Sequence, residues 1–390
     1  LIFIAAAATR FSKPAFAMRF CVLIHPGNAS PEFAAHMARY PGLRLARPDD
    51  SQRLSDFFNT TAMSAGQLSI GFVRGSDFFA LLALQAERYA ALVCEENGMI
   101  VGVGALSMRH AFVRGKLTPV GYLQDLRLSP QSKTKTRQSL YACFTEFVRL
   151  SPQWDDFNRC SLFLTAILDE NTPARAALSR ASFPLEYSRL ASYKAHLWPK
   201  LPGLEKLLPV KTNVETGHEE KLLHFYKETL GTLAFDLTLD DVSRLLPRAV
   251  PVTIEKEGQG IAAACLLVNT DEERRLRVRY NPVGRSLETS GTYLTAVRVG
   301  RSVAAELKDG VMKDLLAKAL KTSLRMKGSF TGIIEMQDGP VPFPFLAAQS
   351  HYTVSGSLYR VFHPEHTQLA DFSAGFLRPA HKASFEWIFS

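Results

Sequence analysis

Residues 124–137 read Gln124-Asp125-Leu126-Arg127-Leu128-Ser129-Pro130-Gln131-Ser132-Lys133-Thr134-Lys135-Thr136-Arg137, a carboxylate followed by hydroxyls and cations. The alternation up to Leu128 reads as a strand, Pro130 breaks it, and Leu140, Cys143, Phe144, Phe147 and Val148 then recur at helical spacing. A strand entering a helix through a polar, cationic turn collects free backbone N–H groups and the positive end of the helix dipole at one point, which suits a phosphate. Lys133, Lys135 and Arg137 add charge to it. The plain alternative is a solvated basic loop.

The elements around this turn are read from periodicity and punctuation. A strand at 43–46 precedes a helix at 48–58, and a second helix covers 77–87. Strands at 90–95 and 99–109 form a hairpin across Asn97-Gly98, a strand at 119–128 leads into the turn, and the helix after it ends near Leu150. A strand at 160–168, a helix at 172–180 and strands after Phe183 complete a mixed α/β layer arrangement. Pro199, Pro202, Gly203 and Pro209 punctuate the stretch after these strands. The expected division is an extension over 1–42, a domain over 43–198, a linker over 199–212 and a second domain over 213–390. That last segment repeats the element order: helices at 219–230 and 239–246, a hairpin of 252–256 with 261–268, a strand at 294–299, a helix at 311–326, and strands at 330–336 and 358–362.

Several motifs stand in order along the first domain: Leu45-Ala46-Arg47-Pro48-Asp49-Asp50, then Asp125-Leu126-Arg127-Leu128-Ser129-Pro130, then Gln131 to Thr136, then Asn171, Ala174 and Phe183. Together they make residues 43–198 resemble the GCN5-related N-acetyltransferase (GNAT) superfamily. In it, a strand ending Asp-Leu-x-Val-x-Pro meets a pyrophosphate loop Gln/Arg-x-x-Gly-x-Gly/Ala, and Asn-x-x-Ala-(x)8-Gly-Phe comes later. The fold implied is α/β with a mixed sheet, as two tandem GNAT-like acyl-CoA N-acyltransferase domains. The departures are specific. Thr134 and Thr136 replace both loop glycines and Ser182 the later one, Leu178 stands where many members have a thiolate-protonating tyrosine, and Gln124 stands where a glutamate often serves as base.

Acyl transfer from a thioester needs an N–H for the carbonyl oxygen, a route for the amine's proton and a proton for the thiolate. The resemblance implies that the main chain of Leu126, Arg127 and Leu128 supplies the first and pairs with the pantetheine arm. It also implies that Gln131, Ser132, Lys133, Thr134, Lys135, Thr136 and Arg137 hold the pyrophosphate, with Asn171 in the later pattern. Asp125 is the nearest carboxylate for the second need; the other reading points it into the sheet or onto a neighbour. Tyr187 or Tyr141 serves the third, or is a core or rim tyrosine. The leading expectation is acyl-CoA-dependent N-acyl transfer, with acetyl-CoA or another acyl-CoA as co-substrate and a small-molecule or peptide amine as acceptor. A GNAT-like interaction module without catalysis, and a transferase using aminoacyl-tRNA, are the alternatives.

Composition bounds these readings. The charge of 46 − 37 = +9 favours anionic partners such as nucleotides, CoA-type phosphates or RNA, although no RNA-binding motif accompanies it. No apolar run approaches the ~20 residues that span a bilayer. Cys21, Cys94, Cys143, Cys160 and Cys265 are widely spaced, without a Cys-x-x-Cys pair, and are expected to be reduced, as suits a cytoplasmic protein. At the amino terminus Arg10 and Lys13 come after the apolar run 1–8 instead of preceding it, so the stretch is read as a translated upstream extension with Met18 as the start, the alternative being a truncated export signal. Arg275, Arg277 and Arg279 alternate with apolar residues, which reads as the wet face of an edge strand or as an anion clamp. His363 and His366 flank Pro364 with no third ligand evident, so no metal is expected.

Overall fold

The computed structural model describes residues 21–60, 63–65, 68–113, 115–178, 184–200, 218–231, 235–256, 258, 260–280, 285–303, 307–336 and 352–366. The first half runs β1 (Val22–Leu23), α1 (Pro31–Ala38), β2 (Leu43–Leu45), α2 (Ser51–Thr60), β3 (Met63–Ala65), β4 (Leu68–Arg74) and α3 (Ala80–Gln85). It continues with β5 (Arg88–Glu96), β6 (Met99–Val113), β7 (Lys116–Leu128), α4 (Thr134–Leu150), β8 (Leu162–Leu168), α5 (Thr172–Leu178) and β9 (Glu186–Pro199). The second half runs α6 (His218–Thr229), α7 (Leu239–Leu245), β10 (Ala249–Lys256), β11 (Gly260–Asn269), β12 (Arg274–Tyr280) and β13 (Arg285–Thr289). It ends with β14 (Gly291–Val299), α8 (Lys308–Ser323), β15 (Phe330–Met336) and β16 (Tyr352–Phe362). The linker residues 201–212, the amino-terminal residues 1–20, and Ser182 and Phe183 lie outside the described residues.

One sheet of 12 strands runs through both halves in the order β1-β5-β6-β7-β8-β16-β9-β15-β14-β11-β10, with β2 beside β5. The order is palindromic about its centre. β7 and β8 are parallel neighbours, as are β14 and β15, and every pairing among β8, β16, β9 and β15 is antiparallel. β16, the last strand among the described residues, therefore lies between two strands of the first half, and β9 lies between β16 and β15. Each half's sheet is covered on both faces. In the first, Leu140, Phe144 and Phe147 of α4 and Phe33 and Met37 of α1 pack on Leu92, Leu106 and Leu123. On its other face Leu54 and Phe58 of α2 and Phe78 cover Ala91, Val93 and Val103. The second half repeats this with Leu315, Leu316 and Ala319 of α8 over Cys265 and Leu294, and with Leu222, Phe225 and Val242 of α6 and α7 over Ala264, Leu266 and Ala296. Thus β1 and α1, ahead of residue 43, belong to the first half's core.

A second sheet, β13-β12-β4-β3, straps the halves together. The edge-strand reading of Arg275, Arg277 and Arg279 is corrected here: β12 has β13 on one side and β4 on the other, so its backbone groups are paired along both edges. At the end of β4 the backbones come close, and a Cβ on Gly75 would lie 2.0 Å from the carbonyl oxygen of Glu272. The seam is also tied by an isolated bridge between Phe112 and Asp236 and by a buried ion pair, Arg109 Nη1 to Asp241 Oδ2 at 2.9 Å. All five cysteines are free, and among the described residues no helix is long and apolar enough to cross a membrane.

This topology makes two outcomes testable. A chain ended after Lys200 lacks β16, leaves β8 and β9 without their shared neighbour, and is expected to aggregate or to give collapsed amide dispersion in an NMR spectrum; a monomeric, well-dispersed fragment would show that the first half stands alone. Gly75→Ala should lower whole-chain stability by about 1–3 kcal/mol, as over-packing does, read from a denaturant midpoint. An unchanged midpoint would mean that the loop at Glu272 yields without cost.

Candidate functional site

The centre of the site is a kink in β7. Gln124 pairs with Ala105 and Arg127 with Val103, so β7 carries one more residue than β6 across this step. Asp125 absorbs it as a bulge with φ 56°, in the left-handed region where Asp is among the few side chains tolerated. The bend parts β7 from β8. Their parallel pairing stops at Tyr122 and Leu164, and Thr165 Oγ1 donating to Leu123 O at 2.9 Å closes the apex of the wedge. Beyond it, among the described residues, the backbone of Leu126 to Leu128 pairs with no strand on the β8 side, and Leu126 is 43% exposed.

Asp125 and Gln124 turn toward the face that carries α2 and α3. The Asp125 carboxylate accepts from Arg74 Nη2, with both side chains buried. Arg127 lies 4.5 Å over the Phe58 ring and Arg74 lies 5.1 Å over the same ring. Burial lowers the Arg127 guanidinium to about 10, with Asp125 opposing and Arg74 adding to the fall. Arg274, the register partner of Arg74 across β4 and β12, brings a further cation from the second half. Gln124 Nε2 donates to Ser107 Oγ at 2.8 Å and to Gln85 Oε1 at 3.4 Å.

The turn after β7 is tightly self-bonded. Ser132 Oγ donates to Ser129 O at 2.8 Å, and Arg137 donates from Nε to Ser132 Oγ at 2.8 Å and from Nη2 to Pro130 O at 2.7 Å. Helix α4 starts at Thr134 with Lys133 as N-cap, so Thr134, Lys135 and Thr136 form its first turn. Gln131, Lys133 and Lys135 are exposed. An anion does sit on these donors: Glu96 Oε1, from the β5–β6 hairpin, accepts from the Lys133 amide at 2.9 Å and from the Thr136 hydroxyl. These hydrogen bonds, Thr136's first, hold the Glu96 carboxyl below its usual range. Sequence reasoning missed Glu96. Its one signal is its place just before the Asn97-Gly98 turn, whose reach toward the helix depends on the register of β5, β6 and β7.

Other expected residues take local roles. Asn171 Oδ1 accepts from Ala174 N at 3.2 Å at the start of α5. Tyr187 is half-buried against the core under α4, and burial pushes its phenol up, with Tyr141 a smaller cause. It therefore lies on the opposite face of the sheet from the Asp125 and Gln124 side chains. Leu178 ends α5. Among the described residues no cluster of three or more His, Cys, Asp or Glu could hold a metal; His366 Nε2 is 2.8 Å from Arg149 O.

The second half repeats the kink. Thr295 pairs with Leu266 and Arg298 with Ala264, Ala296 has φ 52°, and the parallel pairing of β14 with β15 stops at Tyr293 and Gly332. Nothing in the local sequence marks this kink, since Ala296 is neither a glycine nor an Asn or Asp.

In sequence, the chain matches no family model and no curated protein. In structure it is similar to Saccharomyces cerevisiae N-myristoyltransferase with bound myristoyl-CoA, at 11% identity and a TM-score of 0.54 over 87% of this chain and 82% of that one. A second structure of the yeast enzyme with myristoyl-CoA gives 13% identity and 0.53 over 83% of each chain. A GCN5-related glucosamine N-acetyltransferase region of a fungal multi-domain GH3 β-N-acetylglucosaminidase gives 13% and 0.51, over 82% of this chain and 37% of that one. Two bulged strands, two wedges and this likeness lead to one conclusion: the chain has the GCN5-related N-acetyltransferase fold, in tandem, as in the two-domain N-myristoyltransferases.

Proposed function

We propose that the chain is an acyl-CoA-dependent N-acyltransferase whose acyl donor lies in the wedge between β7 and β8, with domains divided near residues 199–212. The observation that carries this reading is the Asp125 bulge, which leaves main-chain groups of Leu126 to Leu128 facing an open wedge beside a helix amino terminus. An amide-rich arm can pair with that edge, and its pyrophosphate would meet Lys133, Lys135 and the first turn of α4. The turn fits an anion, as Glu96 already rests on it. In the transfer the acceptor's amine nitrogen bonds to the thioester carbonyl carbon, the C–S bond breaks, and one proton leaves the nitrogen while the thiolate gains one. Asp125 takes the first proton directly or through water, and its pairing with Arg74 keeps the carboxylate oriented. Tyr187 lies on the opposite face of the sheet with its phenol raised by burial, so it takes no part in this step; the proton that the amine gives up returns to the thiolate through solvent at the open wedge.

The Glu96 contact favours one other reading, a binding module in which the anion site is filled from within. Calorimetric titration of acetyl-CoA and myristoyl-CoA into the whole chain separates the two. Lys133→Glu with Lys135→Glu should weaken binding about tenfold, and more so at low salt, because the contact is ionic. Glu96→Ala should tighten it about fivefold by removing an internal competitor for one or two hydrogen bonds. If neither acyl-CoA binds the parent chain or the Glu96→Ala variant, the module reading replaces the enzyme.

A further inference from the structure

Residues 129–137, the turn after β7 and the start of α4, contain no glycine. No residue from Leu126 to Arg137 has a positive φ, and Thr134 and Thr136 lie inside α4, where a Cβ is ordinary, so this turn closes without the freedom that glycine supplies. An anion held at the turn still requires its carbonyl oxygens, each a partial negative charge, to face elsewhere. Arg137, at the end of α4's first turn, engages them. Its Nη2 donates to Pro130 O at 2.7 Å and reaches Ser129 O at 3.5 Å, and its Nε donates to Ser132 Oγ at 2.8 Å. Ser132 gives its hydroxyl to Ser129 O at 2.8 Å and its amide to the same oxygen at 3.0 Å. Two carbonyls and one hydroxyl are thereby gathered on a single planar fork. The Lys133 amide and the Thr136 hydroxyl remain as donors, and these are the groups on which the Glu96 carboxylate rests.

The family resemblance groups Arg137 with Lys133 and Lys135 as residues that touch a pyrophosphate. The geometry separates them. Both lysines are exposed, whereas Arg137 is half-buried and spends its fork on the protein's own oxygens. We infer that Arg137 is a positioning residue that shapes the anion site from behind, doing for this turn what loop glycines do in the superfamily it resembles. Without the fork, Pro130 O loses its donor and is free to turn toward an incoming phosphate, whose charge it repels. A lysine there does not substitute, because an ammonium on a flexible stem lacks the fixed planar pair of donors that serves Pro130 O and Ser132 Oγ together. The inference rests on the acyl-transfer reading only in naming the anion a pyrophosphate.

Inorganic pyrophosphate and acetyl-CoA are titrated separately into the whole chain, Arg137→Met and Arg137→Lys, and amide hydrogen exchange is followed by mass spectrometry in all three. Arg137→Met should weaken both ligands at least tenfold, and Arg137→Lys, which keeps the charge but not the fork, should fall with it. Exchange should quicken over residues 129–137 of both variants and nowhere else, which separates a loosened turn from a lost fold. Parent affinity in Arg137→Lys would mean that charge alone counts and would overturn the positioning role. Weakened binding with unchanged exchange would make Arg137 a direct contact and overturn it too, as would a parent chain that binds neither ligand. Pyrophosphate binding that depends on the Arg137 fork, in a chain that takes up no acyl-CoA, would uphold this inference and sink the transferase. Acetyl-CoA binding that neither substitution alters would sink this inference and leave the transferase standing.

Discussion

The antiparallel pairing of β9 with β16 is the contact from which the rest of the molecule is hung. Eleven register pairs join these strands, from Tyr352–Leu197 to Phe362–Glu186. Each strand then bonds outward to the other half's parallel pair, β16 to β8 and β9 to β15. Because both wedges open beside this centre, the widths of the two wedges are set by one shared ladder of hydrogen bonds. Neither half can shift its splayed strands without straining the other's sheet.

Within that frame several charged side chains are buried as ion pairs. Arg74, Arg109, Arg274 and Arg298 are each nearly inaccessible; Asp125 pairs with Arg74, Asp241 with Arg109 and Asp236 with Arg298. Buried ion pairs seldom stabilise relative to apolar packing, since desolvation consumes most of the attraction. Their use here is geometric. Arg74 orients the bulge carboxylate, Arg109 fixes α7 against β6, and both partners come from distant sequence. The small strap sheet supports the first of these by setting Arg74 and Arg274 side by side.

The sequence carried the local structure well and the long-range structure poorly. The Asn97-Gly98 turn, with φ 51° and 75°, and the strand-turn-helix at Leu128 to Thr134 were legible because turn chemistry and periodicity act over a few residues. The bulge was not, since Asp125 is not a glycine and nothing nearby marks a positive φ. The anion on the turn was not, because Glu96 and Thr136 are 40 residues apart. Arg109 with Asp241, 132 residues apart, left no local pattern at all. The reading of β12 as an edge failed for the same reason: charge alternation describes a strand's faces, not which strand lies alongside it. Residues 22–38 fall within the expected extension because Val22–Leu23 is too short to read as a strand, although Phe33 is wholly buried.

The central position of β16 has a consequence for how the chain is made. Residues 200–362, 163 of them, separate the end of β9 from the end of β16, and translation at ~5–20 residues/s takes roughly 8–30 s to supply them. Throughout that interval the nascent first half presents two unfilled strand edges that attract any passing strand. The first half's sheet therefore stays unfinished until β16 has been made, so a helper that shields strand edges during synthesis would matter more to the yield of this protein than to its final stability.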